Sequence, residues 1–147
     1  MGATEIKNRQ AYFEYAIEDK YDAGIVLLGT EVKSIREGKV SFNDSFCLFF
    51  KDELWLRGVY IAEYSMGTSN NHIAVHDRKL LLTKKELKKL QNKMKDVGYT
   101  IIPLRIFFNE KHFAKVQIGI GKGKKLHDKR ESIKKKETDR EIKRFLK

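Results

Sequence analysis

The chain has 147 residues, 41% of them apolar and 11% aromatic, and its 31 Lys and Arg outnumber 20 Asp and Glu for a net charge of +11. That length allows one domain with a sizeable core plus an appendage, and a pI near 9.7 points to an anionic partner, nucleic acid before an anionic membrane surface. No apolar run approaches the roughly 18–20 residues of a membrane span, the start Met-Gly-Ala-Thr-Glu-Ile-Lys lacks the apolar stretch of a signal peptide, and a single cysteine, Cys47, forms no internal disulfide, so a cytoplasmic protein is expected.

Residues 1–11 are polar and are expected to be loose, with a short turn starting at Asn8-Arg-Gln-Ala11. Tyr12-Phe-Glu-Tyr-Ala-Ile17 is rich in β-prone residues, Glu18-Asp-Lys20 has the composition of a connection, and Ala23–Leu28 suits a short buried strand. Thr30 is placed to N-cap a helix with Glu31 in its first turn, and Gly38 suits the left-handed position after its end. Lying between strands, this helix suits the end of a sheet or barrel. Ser45–Phe50 and Leu54–Ile61 flank Lys51-Asp-Glu53 as a hairpin, with Cys47 expected to be a buried thiol and Gly58 at a bend. Ser65–Asn71 is a loop by composition, and His72–His76 a short strand or extended connection.

Thr83-x-x-Glu86 is a capping box, with Leu82 and Leu87 as its hydrophobic staple. Leu87, Leu90, Met94 and Val97 recur on one helical face, which Gly98 ends. The opposite face carries Lys84, Lys85, Lys88, Lys89, Lys93 and Lys95, equally suited to plain solvation or to phosphate contact. Ile102–Phe108 and Ala114–Ile120 alternate as two strands around a hairpin at Asn109-Glu-Lys111, with Pro103 expected on an edge or near the strand start. About six antiparallel strands with an inserted helix predict a mainly β protein, a small barrel related to the oligonucleotide-binding fold with two to three accessory helices; an open α+β sandwich is the alternative. The barrel is expected to span residues 1–121.

From Lys122 to Lys147, 12 Lys and Arg face 5 Asp and Glu, so this tail holds +7 of the net +11. Its large apolar residues are few, too few to offset an ordering entropy of roughly 1–2 kcal/mol per residue. The expectation is a basic arm, disordered when free and helical when held by a polyanion.

Catalytic signatures are missing. His72 and His76 lie four apart outside any helical pattern and have no third ligand in view, so no metal is expected. Gly119-Ile-Gly-Lys-Gly does not open an apolar-faced helix and makes a weak nucleotide site, and the acids show no spacing that demands acid–base work. Composition supports a nucleic-acid binder that is not an enzyme and needs no cofactor, with dense aromatics for stacking and lysines for phosphates.

Several segments together resemble one family, small protein B, the partner of transfer-messenger RNA in bacterial ribosome rescue. They are Asn8-Arg9, Tyr21-Asp-Ala-Gly-Ile25, Gly29-Thr-Glu-Val-Lys-Ser-Ile-Arg36 with Gly38-Lys39, Asp44-Ser45, Arg78-Lys-Leu-Leu-Leu82, Gly98-Tyr-Thr-Ile-Ile-Pro-Leu104 and Gly121-Lys-Gly-Lys-Lys-Leu-His-Asp-Lys-Arg130. The resemblance implies an RNA-binding adaptor of trans-translation that binds the tRNA-like domain of transfer-messenger RNA and brings it to stalled ribosomes. It implies RNA contact from Asn8, Arg9, Asp22, Glu31, Lys33, Arg78 and Lys79. It implies that Lys122, Lys124, Lys125, His127, Asp128, Lys129 and Arg130 meet the small-subunit rRNA at the decoding centre and along the empty mRNA channel. A monomer is expected. Asp22 stands where the family commonly has Glu, and Tyr12-Phe13 replaces a polar pair. A general module for single-stranded nucleic acid is the alternative function.

Overall fold

The computed structural model describes residues 5–67 and 71–124. Its elements are β1 (Glu5–Lys7), α1 (Arg9–Glu14), β2 (Tyr15–Ile25), α2 (Gly29–Arg36), β3 (Val40–Ser41), β4 (Phe46–Phe50), β5 (Glu53–Arg57), β6 (Tyr60–Ile61), β7 (Arg78–Leu81), α3 (Lys84–Lys93), β8 (Tyr99–Phe108) and β9 (Ala114–Gly123). Six antiparallel strands run β8-β4-β5-β7-β2-β9, and β9 pairs back onto β8, so the sheet closes on itself. The outcome is the expected barrel and not an open sandwich. β1 adds to the free flank of β8, and β3 with β6 forms a separate short ribbon.

Alternation on the strands fills the barrel with Ala23, Cys47, Leu54, Leu56, Leu80, Ile101, Ile106, Val116, Ile118 and Ile120. Each buried aliphatic side chain contributes about 1.5–3 kcal/mol. The two longer helices sit at opposite ends. α2 follows β2, and its Arg36 guanidinium lies 4.8 Å from the Phe108 ring at the close of β8. α3 joins the end of β7 to the start of β8, and its Gln91 bonds to Asp52 in the β4–β5 turn at 3.1 Å. Ile35 of α2 and Leu90 of α3 both enter the core.

The α3 start is as expected: the Glu86 amide donates to Thr83 Oγ1, and the Thr83 amide donates back to Glu86 Oε1, both at 3.1 Å. The helix stops at Lys93, sooner than the apolar periodicity implies, and Val97 lies outside it, 96% exposed. Leu90 and Met94 already seal that end of the barrel, so nothing remains for Val97 to pack against. The Lys51-Asp52 turn has positive φ at both residues (51° and 64°), the two-residue hairpin turn whose twist matches its strands. Gly38 takes φ 75° beyond α2.

Other expectations change. Tyr12, Phe13 and Glu14 are helical, because α1 turns Ala11 onto Ile102 and Leu104 on the outside of β8, a second small core. Glu18–Lys20 is no connection but the middle of β2, marked by a bulge between Ile17 and Asp19. Pro103 lies inside β8, tolerated because the ladder slips there, between Pro103 and Arg105. Asn8 fastens onto that irregularity, its amide donating to the Leu104 carbonyl and its Nδ2 to the Pro103 carbonyl, both at 2.8 Å. Thr30 does not cap α2: the helix begins at Gly29 after Leu28, whose amide is taken by Glu31 Oε1 at 2.9 Å. The glycines of Gly119-Ile-Gly serve packing. A Cβ on Gly121 would stand 2.1 Å from the Ala16 carbonyl oxygen, so β2 crosses there only because the side chain is missing.

Candidate nucleic-acid interface

The residues expected to touch RNA fall into three groups. The first is built on the outer face of β1, β8, β9 and β2. Strand alternation turns Tyr21 and Ala23 inward and leaves Lys20 and Asp22 exposed on the outside. Asp22 Oδ1 accepts from Gln117 Nε2 at 3.4 Å, Gln117 Oε1 accepts from Arg105 Nε at 3.3 Å, and Arg105 Nη1 donates to Glu5 Oε1 at 3.1 Å. A polar ladder thus crosses four strands and ends on Asp22. Arg105 also lies 4.0 Å from the Phe107 ring. Asn8, just beyond β1, is half-buried and spends its side-chain amide on Pro103, whereas Arg9 is exposed. Beside them, Lys20 Nζ stands 5.2 Å from the exposed Tyr12 ring, the cation-over-ring arrangement that attracts by the ring quadrupole. Leu81, opposite Gly24, presents an exposed apolar side chain to the same surface.

The second group is at α2, and two of its members lie below the surface. Glu31 and Arg78 are each 1% exposed. They form a buried ion pair, with Arg78 Nε donating to Glu31 Oε2 at 2.5 Å. The rest of the guanidinium reaches the Val59 carbonyl at 2.8 Å, the His76 carbonyl at 3.3 Å and the Ala74 carbonyl at 3.0 Å. His76 Nε2 donates to the same Glu31 oxygen at 3.0 Å. Burial pushes the Glu31 carboxyl up, but the Leu28 amide, Arg78 and His76 outweigh it and hold it below its ordinary value. His72, also buried, donates from Nε2 to the Ile61 carbonyl at 2.8 Å, which leaves Nδ1 to accept from the Thr30 hydroxyl at 2.9 Å. Both histidines therefore fasten the segment after β6 onto α2, and among the described residues no group of three or more metal-ligating side chains exists. On this base Lys33 is exposed, its Nζ 5.3 Å from the Tyr64 ring. Lys79 lies on the outer face of β7 in an ion pair with Glu53.

The third group is the root of the tail. The boundary expected at Gly121 falls inside β9, which continues to Gly123, so Lys122 is a strand residue opposite Ala16 and Tyr99, its ammonium 4.9 Å from the Tyr99 ring. The Lys124 amide donates to the Glu14 carbonyl at 2.8 Å and its Nζ to the Tyr12 carbonyl at 2.5 Å, both on α1. Lys125, His127, Asp128, Lys129 and Arg130 lie outside the described residues, as does the rest of the tail.

Sequence reasoning missed Lys20 with Tyr12, Tyr64 beneath Lys33, and the Arg105–Gln117 link. Alternation along β2 and β9 could have placed Lys20, Asp22 and Gln117 together. Nothing local points to Tyr64. A polar groove of about 730 Å³ between α1 and the β3–β4 connection, lined in part by Lys7, Asn8, Gln10, Asn43 and Asp44, completes the surface. No helix among the described residues is long and apolar enough to cross a membrane.

Comparison with known proteins bears on this surface and on the tail together. The model of the SmpB protein family matches residues 5–147. An SsrA-binding protein of Bacteroides thetaiotaomicron is 55% identical over 145 residues, 99% of this chain and 97% of that one. One of Fervidobacterium nodosum is 52% identical over 140 residues, 95% of this chain and 94% of that one. Among solved structures, a chain described as "tmRNA-SmpB: a journey to the center of the bacterial ribosome" superimposes with a TM-score of 0.72 at 47% identity, covering 86% of this chain and 89% of that one.

Proposed function

We propose, on the premise that this chain belongs to the SmpB family, that it is an RNA-binding adaptor of trans-translation and not an enzyme. It binds the tRNA-like domain of transfer-messenger (SsrA) RNA and brings it to stalled ribosomes. The observation that carries this reading is the reach of the family match, which runs from β1 through the barrel and along the whole basic tail. The barrel holds the folded RNA on its outer surface, and the tail lies in the decoding centre and the empty mRNA channel of the small subunit. The work is cytoplasmic and is done by one copy of the chain.

The three groups divide the task. Arg9, Asp22, Lys33 and Lys79 are the exposed or half-exposed members that meet the RNA, Lys33 and Arg9 through phosphates. Asp22 accepts from a ribose or base and is held in place by Gln117. Asn8, Glu31 and Arg78 act through others: Asn8 fixes the start of α1, and the Glu31–Arg78 pair fixes the shelf that carries Lys33. Lys122 and Lys124 set where the tail begins, and Lys125, His127, Asp128, Lys129 and Arg130 make the rRNA contacts, with His127 stacking on a base.

The test is a competition titration at fixed, stated salt, because the electrostatic part of binding changes steeply with salt. Labelled transfer-messenger RNA competes with a linear RNA of equal length. Clear preference for the folded RNA is expected. Equal displacement would leave only a single-strand-binding barrel and would refute the adaptor reading. Truncation after Lys124, which leaves β9 whole, is expected to keep binding to the tRNA-like RNA and to lose tagging on stalled ribosomes.

A further inference from the structure

The proposed function leaves one apolar groove unused. It lies on the outer face of β4 and β5, where the alternation that sends Cys47, Leu54 and Leu56 into the barrel turns Phe46, Leu48, Phe50 and Trp55 outward. Leu48 and Trp55 stand opposite each other across the two strands. With Phe50 and the Arg57–Asp77 pair they line a cleft of about 270 Å³. Phe50 is 58% exposed and Phe46 38%. The charges at the rim already satisfy one another: Arg57 donates from Nε and Nη2 to the two Asp77 oxygens at 3.1 and 3.0 Å, and Lys79, opposite Trp55 on β7, pairs with Glu53. The floor differs, because Trp55 Nε1 is buried and has no hydrogen-bond partner among the described residues. A buried indole N–H usually finds an acceptor.

We propose that this groove is the docking site for the end of the chain's own tail, with Phe145 and Leu146 in the cleft. Three stretches lie outside the described residues, 1–4, 68–70 and 125–147, and only the last holds an aromatic residue, Phe145. Ile142, Phe145 and Leu146 are spaced i, i+3 and i+4, so one helical turn presents all three on one side, the form in which an amphipathic segment enters an apolar groove. The sizes agree. A cavity of about 150 Å³ accepts a benzene ring, so a cleft of about 270 Å³ has room for a phenyl ring with an aliphatic neighbour. Reach is no obstacle. The chain is fixed at Lys124 by its bonds to the Glu14 and Tyr12 carbonyls, and Ile142 lies 18 residues further on. An extended chain of that length spans up to about 60 Å, against a width of roughly 35 Å for a domain of this size. A tether of this kind sets an effective concentration in the millimolar range, so a contact too weak to join two molecules is populated within one. The apolar end of the tail is thus covered in the free protein and is released when rRNA holds the basic part. This goes beyond the proposed function, which gives the tail ribosomal partners alone.

Trp55 is the only tryptophan in the chain, so its fluorescence reads the groove directly. The experiment compares acrylamide quenching of the full chain with that of the chain truncated after Lys124, at low protein concentration and without RNA. A contact populated in most molecules shields the indole in most of them, so truncation should raise the quenching slope by about twofold and move the emission to longer wavelength. Combining Phe145→Ser with Leu146→Ser in the full chain should reproduce the truncated behaviour. Ile133→Ser, an apolar change in the tail outside the docking turn, should quench like the parent. Phe50→Ser, at an exposed position of the groove, should remove the difference between full and truncated chains. Equal quenching of the full and truncated parents, an equal change in Ile133→Ser, or a difference that survives Phe50→Ser would each overturn the proposal. So would shielding that grows with protein concentration and accompanies a dimer in sedimentation, which would place a second copy on the groove. Because no RNA is present, these outcomes stand apart from the adaptor reading, which the competition titration tests.

Discussion

Replacing Glu31 by Gln removes one charge and no volume, and the geometry around that carboxylate sets the cost. Its two oxygens accept from the Leu28 amide, Arg78 Nε and His76 Nε2. Glutamine offers one oxygen, and its amide nitrogen must then face a donor. Arg78, with a fully buried side chain, keeps its carbonyl partners but loses its counter-charge. Breaking one side of such a pair costs about 3–5 kcal/mol, a large share of a total stability of about 5–15 kcal/mol. At about 2–4 °C per kcal/mol for a domain of this size, Tm should fall by about 6–20 °C in a thermal melt followed by far-UV circular dichroism. Combining Glu31→Gln with Arg78→Met should cost clearly less than the sum of the two single changes, because no orphaned cation remains. The pH dependence carries a sign. A carboxyl held below its ordinary value of 4.5 adds stability that is complete above that value and is lost as pH falls through the lowered folded value. The gap in Tm between parent and Glu31→Gln should therefore hold from neutral pH down to about 4.5 and close only below it. A Tm within 2 °C of the parent at pH 7, or strict additivity in the double variant, would refute the assignment of Glu31 as the anchor of this shelf.

Gly121→Ala should destabilise by about 3 kcal/mol or more, since the backbone of β2 blocks the new methyl group. Gly123→Ala, with nothing within 4 Å, should stay within about 0.5 kcal/mol in urea titration. Thr83→Ala should cost about 1 kcal/mol through the lost cap, read by the same titration. Burial pushes the Cys47 thiol far above its usual range, so iodoacetamide should label it only at the rate of global unfolding, and fast native-state labelling would contradict its place in the core. His112 holds φ 66° in the β8–β9 hairpin. His112→Gly should raise stability by about 0.5–1 kcal/mol, seen as a higher urea midpoint.

Signals that act over a few residues were legible. The Thr83–Glu86 box and Gly38 after α2 lie where local chemistry puts them, the hairpin expected at Lys51-Asp-Glu53 turns at Lys51-Asp52 with Glu53 already in β5, and the count of about six strands around an inserted helix was enough to propose a barrel. What stayed hidden depends on partners far along the chain. Tyr12 and Phe13 favour a strand by their own propensity, yet Ala11 finds its pocket on Ile102 and Leu104, some ninety residues away, and the helix follows from that packing. Pro103 inside a strand makes sense only with the bulge and with Asn8 in view. In the candidate site, a charged motif alone does not say which of its members face water. Glu31 and Lys33 are two residues apart on α2, and helical rotation buries one and exposes the other. Arg78 and Lys79 are divided in the same way by the two faces of β7.

The strand that leads to the tail is flanked by neighbours on both sides. β9 pairs with β2 from Gly123 to Lys115 and with β8 from Lys122 to Ala114. A pull applied to the chain beyond Lys124 along the axis of β9 loads two ladders in shear, so that many bonds share the force, whereas a peeling edge strand gives way one bond at a time. A load on the tail is thus carried into the whole wall of the barrel, and the anchorage of the tail is as strong mechanically as the barrel itself.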